Sequence, residues 1–160
     1  MYPTDKDLAF KKIHDYIKKY PSCGDVVITD NYFFKEGSSN VSDYTKNLIN
    51  LFSNLNITSI TILTKRSDKP NSRSFNQNIY NKFIDKLKVN IYLENSPKIH
   101  DRFWIFNFFD NSEISGFLLG TSINSAGKNF CILKELTREE LLEIKAYILE
   151  NTKNLNLKIK

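Results

Sequence analysis

The 160-residue sequence is short of the residues that staple or anchor a chain. Its two cysteines, Cys23 and Cys131, have neither the spacing of metal ligands nor the density of a secreted disulfide framework. That favours a cytoplasmic setting. No apolar run approaches the roughly 18 residues that a membrane-spanning helix needs. The opening "MYPTDKDLAF" is charged and lacks the apolar stretch of a secretion signal, so no membrane insertion is expected. No internal repeat, low-complexity tract or linker divides the chain, and 1–160 reads as one domain. Histidine is scarce too: His14 and His100 are the two in the sequence.

What the chain does have is apolar and aromatic bulk. Hydrophobic residues make up 41%, with 12 Phe and 8 Tyr. A chain of this length buries about two-thirds of its unfolded surface, enough to dispense with a staple. The net charge of +5 favours an anionic partner through its long-range potential. A simple abundance of lysine and asparagine would give the same balance with no partner at all.

Pattern and punctuation predict an α/β domain. Thr4 to Asp7 can cap a first helix carrying Leu8, Ile13, Tyr16 and Ile17, which stops at Tyr20-Pro21 and Gly24. "DVVITD" (25–30) reads as a buried strand, and "NYFFKEGSSN" after it as a loop with exposed turn chemistry. Ser42 is placed to cap a second helix with Tyr44, Leu48, Leu51, Phe52 and Leu55 on one face. The β-branched "ITSITILT" (57–64) is a strand, followed by the basic loop "KRSDKPNSR". A third helix is expected from about Ser74 to Lys88, with Phe75, Ile79, Phe83 and Leu87, then a strand at 89–95. Alternating strands and helices over 25–95 call for a largely parallel sheet flanked by helices. Residues 98–107 and 113–121 then form a C-terminal β-hairpin, and 129–134 one more strand. Thr137 and Glu140 make a capping box for a helix to about Asn151 with Leu141, Ile144 and Ile148 on one face, and the alternating tail "NLNLKIK" reads as a frayed end in preference to an edge strand.

Two segments carry the chemistry. In "KIHDRFWIFN" (98–107), alternation puts His100, Arg102 and Trp104 on one side of a strand, and Asp101, Phe103 and Ile105 on the other. An imidazole two residues from a guanidinium suits a phosphate: the first can attack phosphorus or move protons, the second clamps non-bridging oxygens. A structural histidine paired with Asp101 or a carbonyl fits the strand equally well. In "GTSINSAGKN" (120–129), Ser122 and Asn124 are again two apart and Gly127-Lys128 follows, so that backbone N–H groups and an ammonium could meet an anion. This is not a nucleotide P-loop: six residues separate Gly120 from Gly127, and Asn129 follows Lys128. An ordinary glycine-rich turn is the plain alternative.

Together these segments resemble the phospholipase D-like superfamily. Its signature is His-x-Lys on a strand, an Asp five residues after the Lys, and a Gly-Ser-x-Asn turn ending the next strand. His100 and Ser122-Ile123-Asn124 match. Arg102 stands at the lysine position, Asn107 at the aspartate position and Thr121, after Gly120, where the glycine is expected. The "HDR" form resembles most the C-terminal domain of the microtubule-interacting-and-trafficking (MIT) proteins, over roughly 25–134.

The resemblance implies that two such motifs meet across a twofold axis, one histidine forming a phospho-histidine and the other protonating the leaving group. It implies neither metal nor cofactor. With one motif per chain the partner would be a second copy. His14, on the N-terminal helix, is no substitute. Arg102 keeps the positive charge but will not deprotonate, and Asn107 lacks the carboxylate; Asp110, three residues on, is a poor replacement. Three functions follow. One is a homodimeric, metal-independent phosphodiesterase, a nuclease in the first instance. His100 would react, Arg102, Ser122, Asn124 and Lys128 would hold the phosphate, and Lys65, Arg66, Lys69 and Arg73 would track nucleic acid. The second is a non-catalytic dimer that binds nucleic-acid phosphates, anionic lipid or a protein partner. The third is an accessory subunit of a larger protein system.

Overall fold

A computed structural model of the chain describes residues 6–20, 24–37, 40–53, 55–65, 70–87, 90–94, 99–126 and 132–152. In chain order they form α1 (Lys6–Ile17), β1 (Asp25–Thr29), α2 (Val41–Phe52), β2 (Ser59–Leu63), α3 (Gln77–Lys86) and β3 (Asn90–Glu94). β4 (Arg102–Phe106), β5 (Ser115–Leu119), β6 (Leu133–Glu135) and α4 (Arg138–Asn151) complete the domain. Cys23, Cys131, Thr4, Arg66, Lys69, Lys128 and the tail lie outside the described residues.

The six strands form one sheet in the order β3-β2-β1-β4-β5-β6. β1, β2 and β3 are mutually parallel, while β4, β5 and β6 join antiparallel, so the sheet is mixed and not largely parallel as the alternation suggested. The reason is connection length. Residues 95–101 alone link β3 to β4, too few for the crossover of a dozen or more residues that a parallel strand needs. β4 therefore starts at the edge where β3 ends and runs back beside β1.

The period of two sorts each strand onto two faces. Val26, Ile28, Ile60, Ile62, Trp104, Phe106, Phe117 and Leu119 pack under Ile13, Ile17, Leu48, Phe52 and Phe83 of α1, α2 and α3. Val27, Leu63 and Ile105 face the other way, beneath Leu141 and Ile148 of α4. Trp104 is the centre of the first core: it is fully buried, with Phe52 stacked at 5.6 Å on one side and Phe117 at 5.6 Å on the other.

Several boundaries differ from the sequence expectation, each for a local reason. α2 is capped by Asn40, whose side chain accepts from Asp43 N, so Ser42 falls in the first turn. α3 starts at Gln77 because Asn76 caps it, accepting from Asn78 N and Ile79 N. Phe75 precedes the helix but is still buried, in a turn closed by Ser72 N donating to Phe75 O. The loop after β1 is not an exposed turn: Phe33 and Phe34 are fully buried, Phe33 against Phe83 and Trp104, Phe34 against Phe75 and Tyr80. Burial of two phenyl rings outweighs the turn-forming residues around them. Both hairpin strands are shorter than expected, and β6 begins at Leu133. The Thr137/Glu140 capping box is present as expected.

Replacing Trp104 by alanine should remove both stacks and leave a cavity under three helices. The expected loss is about 3–5 kcal/mol, read by urea unfolding. A loss below about 1 kcal/mol would mean that the core closes over the gap.

Candidate phosphate site at the carboxyl edge of the sheet

β1 is where the sheet changes direction: its parallel neighbour β2 lies on one side and the antiparallel β4 on the other. In open α/β sheets the crevice beyond the carboxyl end of such a strand is the usual ligand position. In this chain β1 ends there in three polar residues, Thr29, Asp30 and Asn31, all buried. Each reaches a different distant segment. Thr29 Oγ1 donates to Asp101 O (2.7 Å) and accepts from Phe103 N (2.9 Å). Asn31 Nδ2 donates to Ile99 O (3.2 Å). Asp30 receives Ser122 Oγ (2.6 Å) and Tyr32 N (3.0 Å) on one carboxylate oxygen and Ile123 N (2.8 Å) on the other.

Both chemically suggestive segments are thus held from β1. The turn at Ile123–Ser125 is a short 3₁₀ helix, and Ser122 at its cap position gives its hydroxyl to Asp30 instead of to the turn. Asn124 sits partly exposed on that turn, its Oδ1 accepting from Ser125 Oγ (3.0 Å). Thr121 is partly exposed and Gly120 exposed, with Gly120 N donating to Ile132 O at 2.7 Å. The β1 exit loop presses on the turn so closely that a Cβ on Gly37 would lie 1.9 Å from Asn124 O, hence the glycine.

Asp30 is 2% exposed. Burial pushes its carboxyl above the ordinary aspartate range, and the hydrogen bonds from Ser122, Ile123 and Tyr32 pull it back, as does the positive charge of Arg102. Arg102 makes no direct ion pair with Asp30, and its Nε is buried without a hydrogen-bond partner. Asn31 Oδ1 and Thr64 Oγ1, just past the ends of β1 and β2, are buried and unpartnered in the same way. Tyr16 Oη, Tyr20 Oη, Trp104 Nε1 and Thr152 Oγ1 are likewise buried and unpartnered elsewhere in the fold, so it is the grouping of three such atoms at this edge that is of interest. Lys65 follows Thr64, and its ammonium lies 5.6 Å from the centroid of the Tyr32 ring, beside the β1 exit.

His100 and Arg102 are not brought together by strand alternation. Because the Thr29 hydroxyl takes the place of the backbone ladder at Asp101 and Phe103, the β1–β4 pairing ends at Ile28–Trp104 and β4 begins at Arg102. His100 precedes the strand. It is exposed and lines a groove on the α4 side with Ile99, Asp101, Phe103, Ile144 and Tyr147, whereas the charge of Arg102 is felt by Asp30.

Asn107 lies at the other end of β4, about 17 Å of extended chain from Arg102. There it adopts a left-handed φ of 53°, accepts from Gly24 N (3.0 Å) and donates to Glu113 O (3.4 Å), closing the hairpin turn and the start of β1. Arg73 is exposed in the turn bridged by Asn71 and Asn76. Among the described residues no group of three or more His, Cys, Asp or Glu could hold a metal ion, and no helix is long and apolar enough to cross a membrane.

The residue that sequence reasoning passed over is Asp30. The available signal was a charged residue closing an otherwise apolar strand, "DVVITD", at the end where ligands bind.

No known family model matches the chain, and no curated protein matches it. Among solved structures, polyphosphate kinase from Porphyromonas gingivalis is similar over 91% of this chain and 20% of its own, at 13% identity and a TM-score of 0.39.

Because the folded carboxyl of Asp30 titrates above its unfolded value, its contribution to stability is present at low pH and lost as pH rises through the folded value. Ser122→Ala removes a contact that lowers that value. The variant should lose about 1–3 kcal/mol at pH values where folded Asp30 is ionised and less at pH 4, measured by urea unfolding from pH 4 to pH 9. A loss that does not change as Asp30 titrates would show that Ser122 does not act through its charge.

Proposed function

We propose that the chain is a phosphodiester-binding domain of phospholipase D-like type that engages nucleic acid as a homodimer without cleaving it. The observation that carries this reading is the Arg102 guanidinium. Its Nε is buried and unpartnered at the edge where Ser122 and Ile123 are fixed on Asp30 and Asn124 follows on the same turn. A guanidinium forks onto phosphate oxygens, and a nearby backbone turn with a serine and an asparagine supplies further donors. Lys65 adds a second cation at the same edge, and the excess positive charge of the chain favours a polyanion. Contacts of this kind position a nucleic acid without reading its sequence.

Catalysis by His100 is the second reading, and its exposure favours it. A nucleophilic histidine works with an orienting partner. Among the described residues none hydrogen-bonds His100, and Asn107, at the position of the superfamily carboxylate, is committed to Gly24 and Glu113. These placements support binding over turnover.

Arg102→Ala should weaken binding of a short single-stranded DNA by about tenfold and flatten the salt dependence by about one unit of slope. His100→Ala should change affinity by less than about twofold. The protein should not turn over bis(4-nitrophenyl) phosphate or the DNA. Hydrolysis that disappears in His100→Ala would replace the binding reading with a phosphodiesterase.

A further inference from the structure

A second cavity lies away from the sheet edge, in the groove between α1 and α2. Its volume is ≈ 630 Å³, within the range of small-ligand sites. Lys11 and His14 line it from α1, and Lys46, Asn47 and Asn50 from α2, over a floor of Phe10 and Leu51. Spacing explains the convergence. Lys11 and His14 are three apart, as are Asn47 and Asn50, so each pair shares one helix face beside the apolar seam.

Among the described residues the two lysines of this groove, Lys11 and Lys46, have no ion-pair partner, and His14 Nδ1 stands 4.0 Å from Asp15 Oδ1, too far for a hydrogen bond. The opposing carboxylate in the lining, Asp43, is occupied: it accepts from Asn40 Nδ2 at 3.0 Å in the α2 cap. Two ammonium groups and an imidazole therefore line one concavity, with two amides that can donate or accept and the Asp43 carboxylate tied back into the α2 cap.

We propose that the α1–α2 groove is a binding site for the phosphate chain of a small ligand, a nucleoside polyphosphate or an inorganic oligophosphate. Lys11 and Lys46 neutralise it from opposite walls and His14 donates between them. Asn47 and Asn50 meet the polar edge of a base when a nucleoside is attached. The site is independent of Arg102 and Ser122.

The test is a titration of the isotope-labelled full chain with ATP and with inorganic triphosphate, followed by NMR at about 150 mM salt, where weak screening-range attraction is suppressed. Saturable shifts at Lys11, His14, Lys46 and Asn50 are expected. The double variant Lys11→Glu/Lys46→Glu should lose at least about tenfold in affinity, whereas the charge-matched Lys82→Glu/Lys86→Glu, on the exposed face of α3, should not. These exposed lysines can change without disturbing the core, which an unchanged urea midpoint verifies. Tighter binding of ATP than of triphosphate assigns the groove to nucleotides; equal affinity assigns it to the phosphate chain alone. Absence of saturable shifts, or shifts that survive the double variant, would overturn the proposal. Resonances of Gly120–Asn124 report the sheet-edge site separately, so failure of one reading is not failure of the other.

Discussion

The arrangement at the carboxyl edge depends on one buried carboxylate. Asp30 closes β1 and takes three hydrogen bonds, two of them from a turn more than ninety residues later in the chain. Removing a carboxylate from water is costly unless its oxygens are satisfied, so the Ser122–Ile123 turn and Asp30 require each other. Thr29 and Asn31 on either side do the same for residues 99–103. Three consecutive residues thus fix both segments of the sheet-edge site.

The same anchoring bears on the proposed phosphate contact. Satisfying Asp30 with serine and backbone donors leaves Arg102 outside any direct ion pair and with its Nε–H unpartnered. An arginine neutralised by a salt bridge would have less to offer a phosphate. The cost of burying the Asp30 carboxyl is offset by its three hydrogen bonds, two of them from the turn that they hold in place.

Much of the fold could be read from the sequence because its signals are local. The β-branched run around β2 and the Thr137/Glu140 capping box act within a few residues, and both stand where periodicity put them. The resemblance to a family motif picked out the two segments that β1 then holds. What could not be read were contacts between distant residues. Nothing near Phe33 and Phe34 announces that a polar loop folds its rings into the core formed with Phe83 and Trp104. Strand alternation put His100 beside Arg102, but a threonine hydroxyl 72 residues away from Asp101 ends the ladder first and releases His100 to the α4 side. Likewise, Asn107 reads as a site residue in a linear motif, yet its left-handed backbone commits it to the hairpin turn.

The sheet-edge account comes down to whether the Arg102 side chain meets phosphate. The most direct measurement is the ¹⁵N–¹H resonance of its Nε in the full chain, titrated with a short single-stranded oligonucleotide. The account predicts a saturable downfield proton shift as the buried N–H gains an acceptor, together with shifts at Ser122 and Asn124 and little change at Asn107. An Arg102 resonance that stays in place while the oligonucleotide binds elsewhere would contradict it.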